Sequence, residues 1–161
     1  MVSLKNRLFF CVGILCCLSS WPGDAGAQAD IFASKGQVVY APVYSHIYIG
    51  DKERRFLLAV TLSIRNTDSD CPIVVEKATY YDSDGKLIRE YIQSPVKLEK
   101  MSAMRFVVRE SDKSGGSGAS FIVEWRSEKE VSPPMVETIM IGAQTQQGIS
   151  FTSRGRVLRE K

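Results

Sequence analysis

Histidine and cysteine are scarce in this chain, and their scarcity excludes several kinds of site. The 161 residues contain four cysteines and a single histidine, His46. One histidine excludes a zinc site built from several histidines and a pair of histidines acting as acid and base. Cys11, Cys16 and Cys17 lie close to the N-terminus, so Cys71 is the one cysteine in the remainder of the chain. A chain that loses its N-terminus therefore has no intramolecular disulfide and depends on its apolar core.

Long runs of charge of one sign are also absent. The chain has 21 basic and 18 acidic side chains, a formal net charge of +3, and the two signs are interspersed. This balance argues against nucleic acid or anionic lipid as a partner. The one basic cluster is the C-terminal "SRGRVLREK", which we interpret as a solvated tail.

The first 29 residues have the pattern of a secretory signal peptide. Lys5 and Arg7 precede the apolar run "LFFCVGILCCL", which is too short to span a bilayer. The small residues in "AGA" and "AQA" suit cleavage after Ala27 or Ala29. We therefore expect a signal peptide over residues 1–29, a single domain over residues 30–161, and a periplasmic or secreted location with no transmembrane segment after cleavage.

A lipoprotein signal is the weaker interpretation of the same segment. Lipoprotein processing requires a small residue before the modified cysteine, whereas Phe10 precedes Cys11 and Leu15 precedes Cys16. We therefore expect no lipid anchor.

Alternating apolar and polar residues predict strands along most of the remaining chain. The clearest case is "RFLLAVTLSIRN", which places Phe56, Leu58, Val60, Leu62 and Ile64 on one face. The segments "MRFVVRE" and "SFIVEW" repeat this period of two, and no segment carries a sustained helical stripe. Further candidates are "VVYAPVYSHIYI", "PIVVEKATYY" with an expected bulge, "KLIREYI", "VETIMIG" and "GISFTS". We predict an all-β, antiparallel β-sandwich of about seven or eight strands.

The stretch "YYDSDGKLIREY" resembles a calcium loop but lacks the required ligands. An EF-hand loop that starts at Asp82 needs an oxygen ligand at position five, glycine at position six and an acid at position twelve. Lys86, Leu87 and Gln93 occupy those positions. Because glycine accepts positive φ, Asp84-Gly85 predicts a tight hairpin instead. One weak metal possibility is kept, in which Asp68 and Asp70 meet Asp82 or Asp84 at one end of the fold; no cofactor is expected.

The glycine-rich stretch "DKSGGSGAS" predicts a flexible connection between strands. A phosphate-binding P-loop needs a Lys-Ser/Thr pair followed by a helix, and a strand follows here. A mobile lid and an anion-binding nest of backbone N–H groups are the other interpretations.

Two segments carry polar and aromatic side chains that a core does not require. Tyr40, Tyr44 and Tyr48 share a face with His46 if their segment is one straight strand, as either a partly buried row or a platform for a glycan or peptide. The segment "GAQTQQGISFTSRGR" suits hydrogen bonding to a polar ligand, and equally suits an exposed loop that leads into an edge strand. A cluster of Arg126, Arg154 and Arg156 would bind a carboxylate or phosphate if the fold gathered them.

Five ordered blocks of this sequence resemble one family. The blocks are "YAPVYSHIY", "LSIRNTD", "YYDSDGKLI", "SGGSGASFIVEWR" and "MIGAQTQQGISFTSRGR". They are similar to the bacterial domain-of-unknown-function 3124 family over essentially the whole mature chain, Val38 to Val157. The resemblance implies a bacterial exported protein and supplies no catalytic residues. The "RNTD" strand end with the later "YYDSDGK" hairpin is also similar to immunoglobulin-like modules of exported proteins, which implies an immunoglobulin-like sandwich.

These observations predict an exported, non-catalytic binding or accessory module for an unknown polar ligand or protein partner in the cell envelope. The predicted binding residues are Tyr44, His46, Tyr48, Gln144, Gln146, Gln147 and Arg154. The alternative is a structural subunit whose exposed edge strand is completed by a partner chain. A third hypothesis is a hydrolase that uses Asp82, Asp84 or a Cys71–His46 pair.

Overall fold

Strands are the only regular elements in the residues that the computed structural model describes, which are 32–143 and 148–161. The predicted signal peptide, residues 1–29, lies outside these ranges, and the domain boundary at residue 30 stays a prediction. The described residues belong to one compact unit. The strands are β1 (Ser34–Val43), β2 (His46–Ile49), β3 (Arg54–Leu57), β4 (Ala59–Arg65), β5 (Ile73–Tyr81), β6 (Leu87–Glu90), β7 (Val96–Leu98), β8 (Ala103–Val108), β9 (Ala119–Val131), β10 (Met135–Gly142), β11 (Ile149–Arg154) and β12 (Arg156–Glu160).

The strands form two main sheets and one hairpin, and every pairing is antiparallel. The six-stranded sheet has the order β12-β1-β9-β5-β6, with β7 also paired to β5. The four-stranded sheet has the order β11-β10-β4-β8, and β2 pairs with β3 alone. The predicted all-β, antiparallel character is confirmed.

The described residues contain twelve strands, more than the predicted seven or eight, because two predicted strands are each divided in two and because β7 and β12 were not predicted. The segment "VVYAPVYSHIYI" breaks between β1 and β2, and "RFLLAVTLSIRN" breaks at Leu58 between β3 and β4. The two breaks lie together, since the Leu58 N–H donates to the Ser45 carbonyl at 3.0 Å. This contact is long-range, so the local alternation gave no sign of it.

The C-terminal segment is a strand and is not the solvated tail that its composition suggested. β12 pairs with β1, and the Lys161 N–H donates to the Gly36 carbonyl at 2.9 Å. All five β12 residues are exposed, so no alternation marked them as a strand. Gly155 separates β11 from β12, and a Cβ atom there would lie 2.6 Å from the Val39 side chain. Glycine therefore allows the chain to pass from one sheet to the other against β1.

One hydrophobic cluster contains the inward faces of both main sheets. Leu62 and Ile64 of β4 belong to it, together with Phe121 and Trp125 of β9. Each of these side chains is fully buried. The predicted inward faces of "RFLLAVTLSIRN" and "SFIVEW" are therefore confirmed, and the two sheets face the same core.

The two local backbone predictions for β5 and its hairpin are also confirmed. The register of β5 against β9 shifts between Val75 and Lys77, which is the expected bulge. Gly85 has a φ of 77°, and the hairpin joins β5 to β6. The Asp82 carboxylate accepts backbone N–H bonds from Asp84 at 3.0 Å and Lys86 at 2.8 Å. Asp82 therefore stabilises the turn, which explains an acid here without a metal.

Candidate binding surfaces

The aromatic row predicted around His46 does not form one strand. The chain breaks after β1, so Tyr40 lies in the six-stranded sheet while His46 and Tyr48 lie in the β2–β3 hairpin. The His46 and Tyr48 rings remain neighbours, with centroids 5.1 Å apart and an interplanar angle of 87°. Tyr48 is 50% exposed. The prediction of one straight row is therefore wrong, and a smaller pair of rings replaces it.

His46 is buried without a hydrogen-bond partner among the described residues. Its side chain is 5% exposed, and both ring nitrogens lack a partner there. Burial lowers the pKa of His46, and the nearby Arg55 charge lowers it further. The imidazole is therefore neutral at neutral pH, with one nitrogen able to donate and the other able to accept.

The segment before β2 lies against β11. The Tyr44 ring contacts Phe151 of β11 edge-on, with centroids 5.8 Å apart. Arg154 lies three positions after Phe151, an odd number, so the alternation of side chains places it on the other face of β11. It lies opposite Glu137 of β10 in the register. Gln144, Gln146 and Gln147 lie outside the described residues.

The proposed cluster of three arginines does not form. Arg126 of β9 belongs to the six-stranded sheet, and its Nε lies 2.9 Å from the Glu76 carboxylate. Arg154 belongs to β11 in the four-stranded sheet. A joint grip of these side chains on one anion is therefore wrong, because the chain changes sheet between β11 and β12.

The Cys71–His46 pair of the hydrolase hypothesis does not form either. Cys71 precedes the first residue of the nine-residue strand β5. Ser45, the residue before His46, contacts the Tyr80 hydroxyl at 2.9 Å, near the last residue of the same strand. An extended strand of this length separates the two ends by about 30 Å. This distance excludes direct proton transfer between the Cys71 thiol and the imidazole.

The four aspartates of the weak metal hypothesis are divided between the same two ends of β5. Asp68 and Asp70 precede β5, and Asp82 and Asp84 follow it. Within residues 32–143 and 148–161, no group of three or more histidine, cysteine or acidic side chains is placed to hold a metal ion. The proposed meeting of Asp68 or Asp70 with Asp82 or Asp84 is therefore wrong.

Asp68 has a structural role that explains its position. Its carboxylate accepts backbone N–H bonds from Asp70 at 2.9 Å, Cys71 at 2.8 Å and Ser132 at 3.0 Å. The bond from Asp70 is the largest cause of a lowered pKa for Asp68. Asp68 thus stays ionised and joins the β4–β5 loop to the start of the segment after β9.

The central residues of the glycine-rich connection between β8 and β9 are hydrogen-bonded to neighbouring segments. The Gly116 carbonyl accepts the Ser45 N–H at 2.9 Å, and the Gly115 carbonyl accepts the Ser83 N–H at 3.0 Å. A Cβ atom on Gly115 would collide with the Tyr80 hydroxyl. Glycine is required here because the backbone passes directly over these side chains.

Two clefts were missed by the sequence interpretation. One of about 420 Å³ lies at the start of β5, lined by Cys71, Pro72, Lys97 and Lys129 among others. The second, of about 340 Å³, is lined by Arg89, Val107, Arg109, Ser111 and Asp112. Both are lined by residues from separate parts of the chain, so no sequence spacing could have indicated them. No part of the described chain forms a helix able to cross a membrane.

A family model described as "Protein of unknown function (DUF3124)" matches residues 36–158. No curated protein matches the chain. A similar solved structure is titled "Crystal Structure of Thermotoga maritima 1070". It shares 11% sequence identity with a TM-score of 0.45, and the similarity covers 80% of this chain and 97% of that chain.

Proposed function

The chain belongs to the DUF3124 family, and from this premise we propose that it is an exported binding or accessory module that performs no catalysis. The family description names no activity, so the support comes from the surfaces described above. One observation carries the proposal, namely the contact of Tyr44 with Phe151, which joins the hairpin segment to β11. We name this joined area, comprising Tyr44, His46, Tyr48 and β11, the hairpin surface.

The chemistry of the hairpin surface suits a polar ligand with an apolar face, such as a glycan or a peptide. The half-exposed Tyr48 ring offers contact area at a small cost in conformational entropy. The neutral His46 ring is buried with both nitrogens and packs edge-on against Tyr48, so it positions the Tyr48 ring and does not contact the ligand directly. Gln144, Gln146 and Gln147 are the remaining residues proposed for this ligand, whereas Arg154 is left out because it lies on the other face of β11 from Phe151.

The finer fold and the location are parts of the same proposal. Two antiparallel sheets that face one core support an immunoglobulin-like sandwich. The N-terminal pattern supports a signal peptide and a periplasmic or secreted protein. N-terminal sequencing of the extracytoplasmic fraction checks the location, with Gln28 or Asp30 expected as the first residue. An intact Met1 on cytoplasmic protein would contradict export.

Native mass spectrometry of protein purified from the periplasm of its own host, without chelator, tests ligand binding. We expect excess mass on the wild-type chain and its loss in Tyr48→Ala. Leu158→Ala removes a similarly exposed apolar side chain on β12 and is expected to keep the excess mass. Excess mass that persists in Tyr48→Ala and in a combined Gln146→Ala and Gln147→Ala variant would refute the hairpin surface.

The second candidate function is a structural subunit whose edge strand is completed by a partner chain. The sheet order favours it, because β8 pairs with β4 alone and no other described strand covers its outer side. In this mode, backbone hydrogen bonds provide affinity and alternate side chains provide specificity. A bare wild-type mass that rises to a multiple or to a fixed complex with concentration would favour this function over small-ligand binding.

A further inference from the structure

Strand β8 is an edge strand with little protection against pairing. Natural edge strands are commonly blocked by proline, by bulges or by several charged side chains. The six residues of β8, "AMRFVV", contain no proline, no glycine and one charge, Arg105. The register between β4 and β8 runs without a shift, so no bulge bends the strand away. The edge strand β12, by contrast, carries three charged side chains in five residues.

A groove lies beside the C-terminal half of this edge. It has a volume of about 340 Å³ and is lined by Arg89, Val107, Arg109, Ser111 and Asp112. Val107, the next-to-last residue of β8, is 49% exposed. Because side chains alternate along a strand, Arg105, Val107 and Arg109 all point away from the core. The outward face of β8 therefore presents an apolar side chain between two positive charges.

The positive charges of this groove are poorly neutralised within the described part of the chain. Arg89 Nη2 lies 3.8 Å from the Asp112 carboxylate, which is a long ion pair. The side chains of Arg105 and Arg109 make no ion pair and no hydrogen bond in residues 32–143 and 148–161, although the backbone of both residues is hydrogen-bonded. Two arginines and one aspartate thus line the groove. A third arginine, Arg105, lies four residues before Arg109 and points to the same side of the strand. This excess of positive charge favours an acidic occupant.

Arg89 is held in position by an aromatic cluster. Its guanidinium carbon lies 5.5 Å from the Tyr91 ring centroid, a distance typical of a cation–π contact. Tyr91 in turn packs against Phe106 of β8 and Phe121 of β9, with centroids 5.2 Å and 5.5 Å away. Burial raises the pKa of Tyr91, so its hydroxyl stays protonated. The cationic side of the groove is thus built on packed rings, which reduces the entropy lost on binding.

We propose that β8 receives an extended segment of a partner protein as an added strand, and that acidic side chains of this segment bind Arg89, Arg105 and Arg109. This inference rests on the second candidate function, and it specifies the edge and the chemistry of the partner. Side chains of a strand repeat with a period of two. A matching segment therefore has acidic residues at positions i and i+4 and a small apolar residue at i+2, opposite Val107.

A second copy of this chain fits the edge less well. Pairing of β8 with β8 would place arginines of one copy beside arginines of the other, and like charges on paired strands are destabilising. Self-association is accordingly an outcome of the test that counts against the proposal.

Fluorescence anisotropy with four labelled synthetic peptides tests the proposal. The first contains Glu-Thr-Val-Thr-Glu, and the second has lysine in place of both glutamates. The third and fourth are the acidic peptide with one or the other set of alternate backbone amides N-methylated. We expect the acidic peptide to bind at least about tenfold more tightly than the lysine peptide. One N-methylated set is expected to weaken binding by a similar factor, because it removes the donors that face β8.

Variants of the protein separate the groove from general charge. The double variant Arg89→Glu and Arg109→Glu is expected to weaken binding of the acidic peptide by at least about tenfold. The double variant Arg54→Glu and Arg159→Glu changes the net charge equally at sites outside the groove, and is expected to bind as the wild-type chain does. Amide resonances of Ala103–Val108 in a ¹⁵N-labelled sample are expected to shift on binding.

Each of several results would overturn the inference. If the two double variants weaken binding of the acidic peptide equally, the preference for this peptide depends on net charge and not on the groove. If the peptide binds without shifting the β8 amide resonances, it binds elsewhere on the protein. β8 shifts with equal affinity for acidic and lysine peptides would remove the acidic partner while keeping edge-strand addition. If no peptide shifts the β8 amides, both the acidic partner and the second candidate function are refuted. If the chain instead associates with itself through this edge, only the acidic partner is refuted.

Discussion

Replacement of Asn66 by alanine is expected to destabilise the fold more than any other single polar truncation near β4. Asn66 is 2% exposed and follows the last residue of β4. Its Nδ2 donates to the carbonyls of Cys71 at 2.9 Å, Leu98 at 3.3 Å and Glu99 at 3.1 Å. Its Oδ1 accepts the Asp68 N–H at 3.0 Å. One side chain therefore joins the β4–β5 loop to β7.

The magnitude follows from the groups that the alanine variant leaves unpaired. The two N–H groups of the Asn66 amide are shared among three carbonyls, which the variant leaves without this donor. The Asp68 N–H also loses its acceptor. A hydrogen bond contributes about 1 kcal/mol net, and a buried group left unpaired costs about 1–3 kcal/mol. Water can reach the carbonyl of the exposed Glu99, so we expect a loss of about 2–4 kcal/mol in the free energy of unfolding. Asn66→Asp should lose at least as much, because a carboxylate cannot donate to three carbonyls.

Urea denaturation followed by the fluorescence of the buried Trp125 measures this loss. Thr67→Ala is the matched control, since the neighbouring hydroxyl bonds Ser132 and Pro133 on the exposed surface. The control is expected to lose less than about 1 kcal/mol. A loss for Asn66→Ala no greater than that of Thr67→Ala would refute the reasoning that this side chain joins two loops.

Three further predictions concern other single positions. The lowered pKa of His46 means that the unfolded chain binds the proton more readily than the folded chain, so the stability present above about pH 6.5 is lost as the pH falls below this value. In His46→Phe, the urea midpoint should therefore change less between pH 7 and pH 5 than it does in the wild-type chain. Lys161→Ala removes ion pairs to Glu76 and Glu124 and should cost about 1 kcal/mol, a difference that shrinks in 1 M salt (about 3 Å Debye length). The two carboxyl pKa values are lowered mainly by the lysine, so this contribution should also disappear as the pH falls below about 4.5. Gly155→Ala should cost about 1–3 kcal/mol in the same urea assay, because its Cβ atom meets a β1 valine at 2.6 Å; an unchanged midpoint would contradict the proposed close passage between sheets.

Much of the strand pattern was predictable because the alternation of apolar and polar residues is local. β4 and the first half of β9 carry buried residues at every second position, and both segments were predicted as strands, although the break before β4 and the second half of β9 were not predicted. β7 and β12 were missed, since three residues show too little periodicity and five exposed residues show none. The ion pairs that tie Lys161 to the six-stranded sheet come from Glu76 and Glu124, which are distant in the sequence.

The candidate sites were less predictable, because each depends on which strand ends meet. The interpretation of Asp84-Gly85 as a hairpin succeeded, since positive φ at glycine is a property of one residue. The pairing of Cys71 with His46 failed, because β5 holds the two at opposite ends. The groove at Arg89 and Arg109 combines a residue of β6 with the end of β8 and the residues that follow it, and no spacing in the sequence indicates it.

The sequence by itself determined the all-β character, the bulge in β5, the hairpin after β5 and membership of the family. The first two depend on local periodicity, the hairpin depends on turn chemistry, and the family depends on ordered blocks of sequence. Only the tertiary structure decided that β12 closes one side of the six-stranded sheet and that β8 remains an edge. Strand order results from pairing between residues far apart in the chain, whose free energy depends on the whole core. Alternation within any one strand is the same whether that strand lies in the centre of a sheet or at its edge.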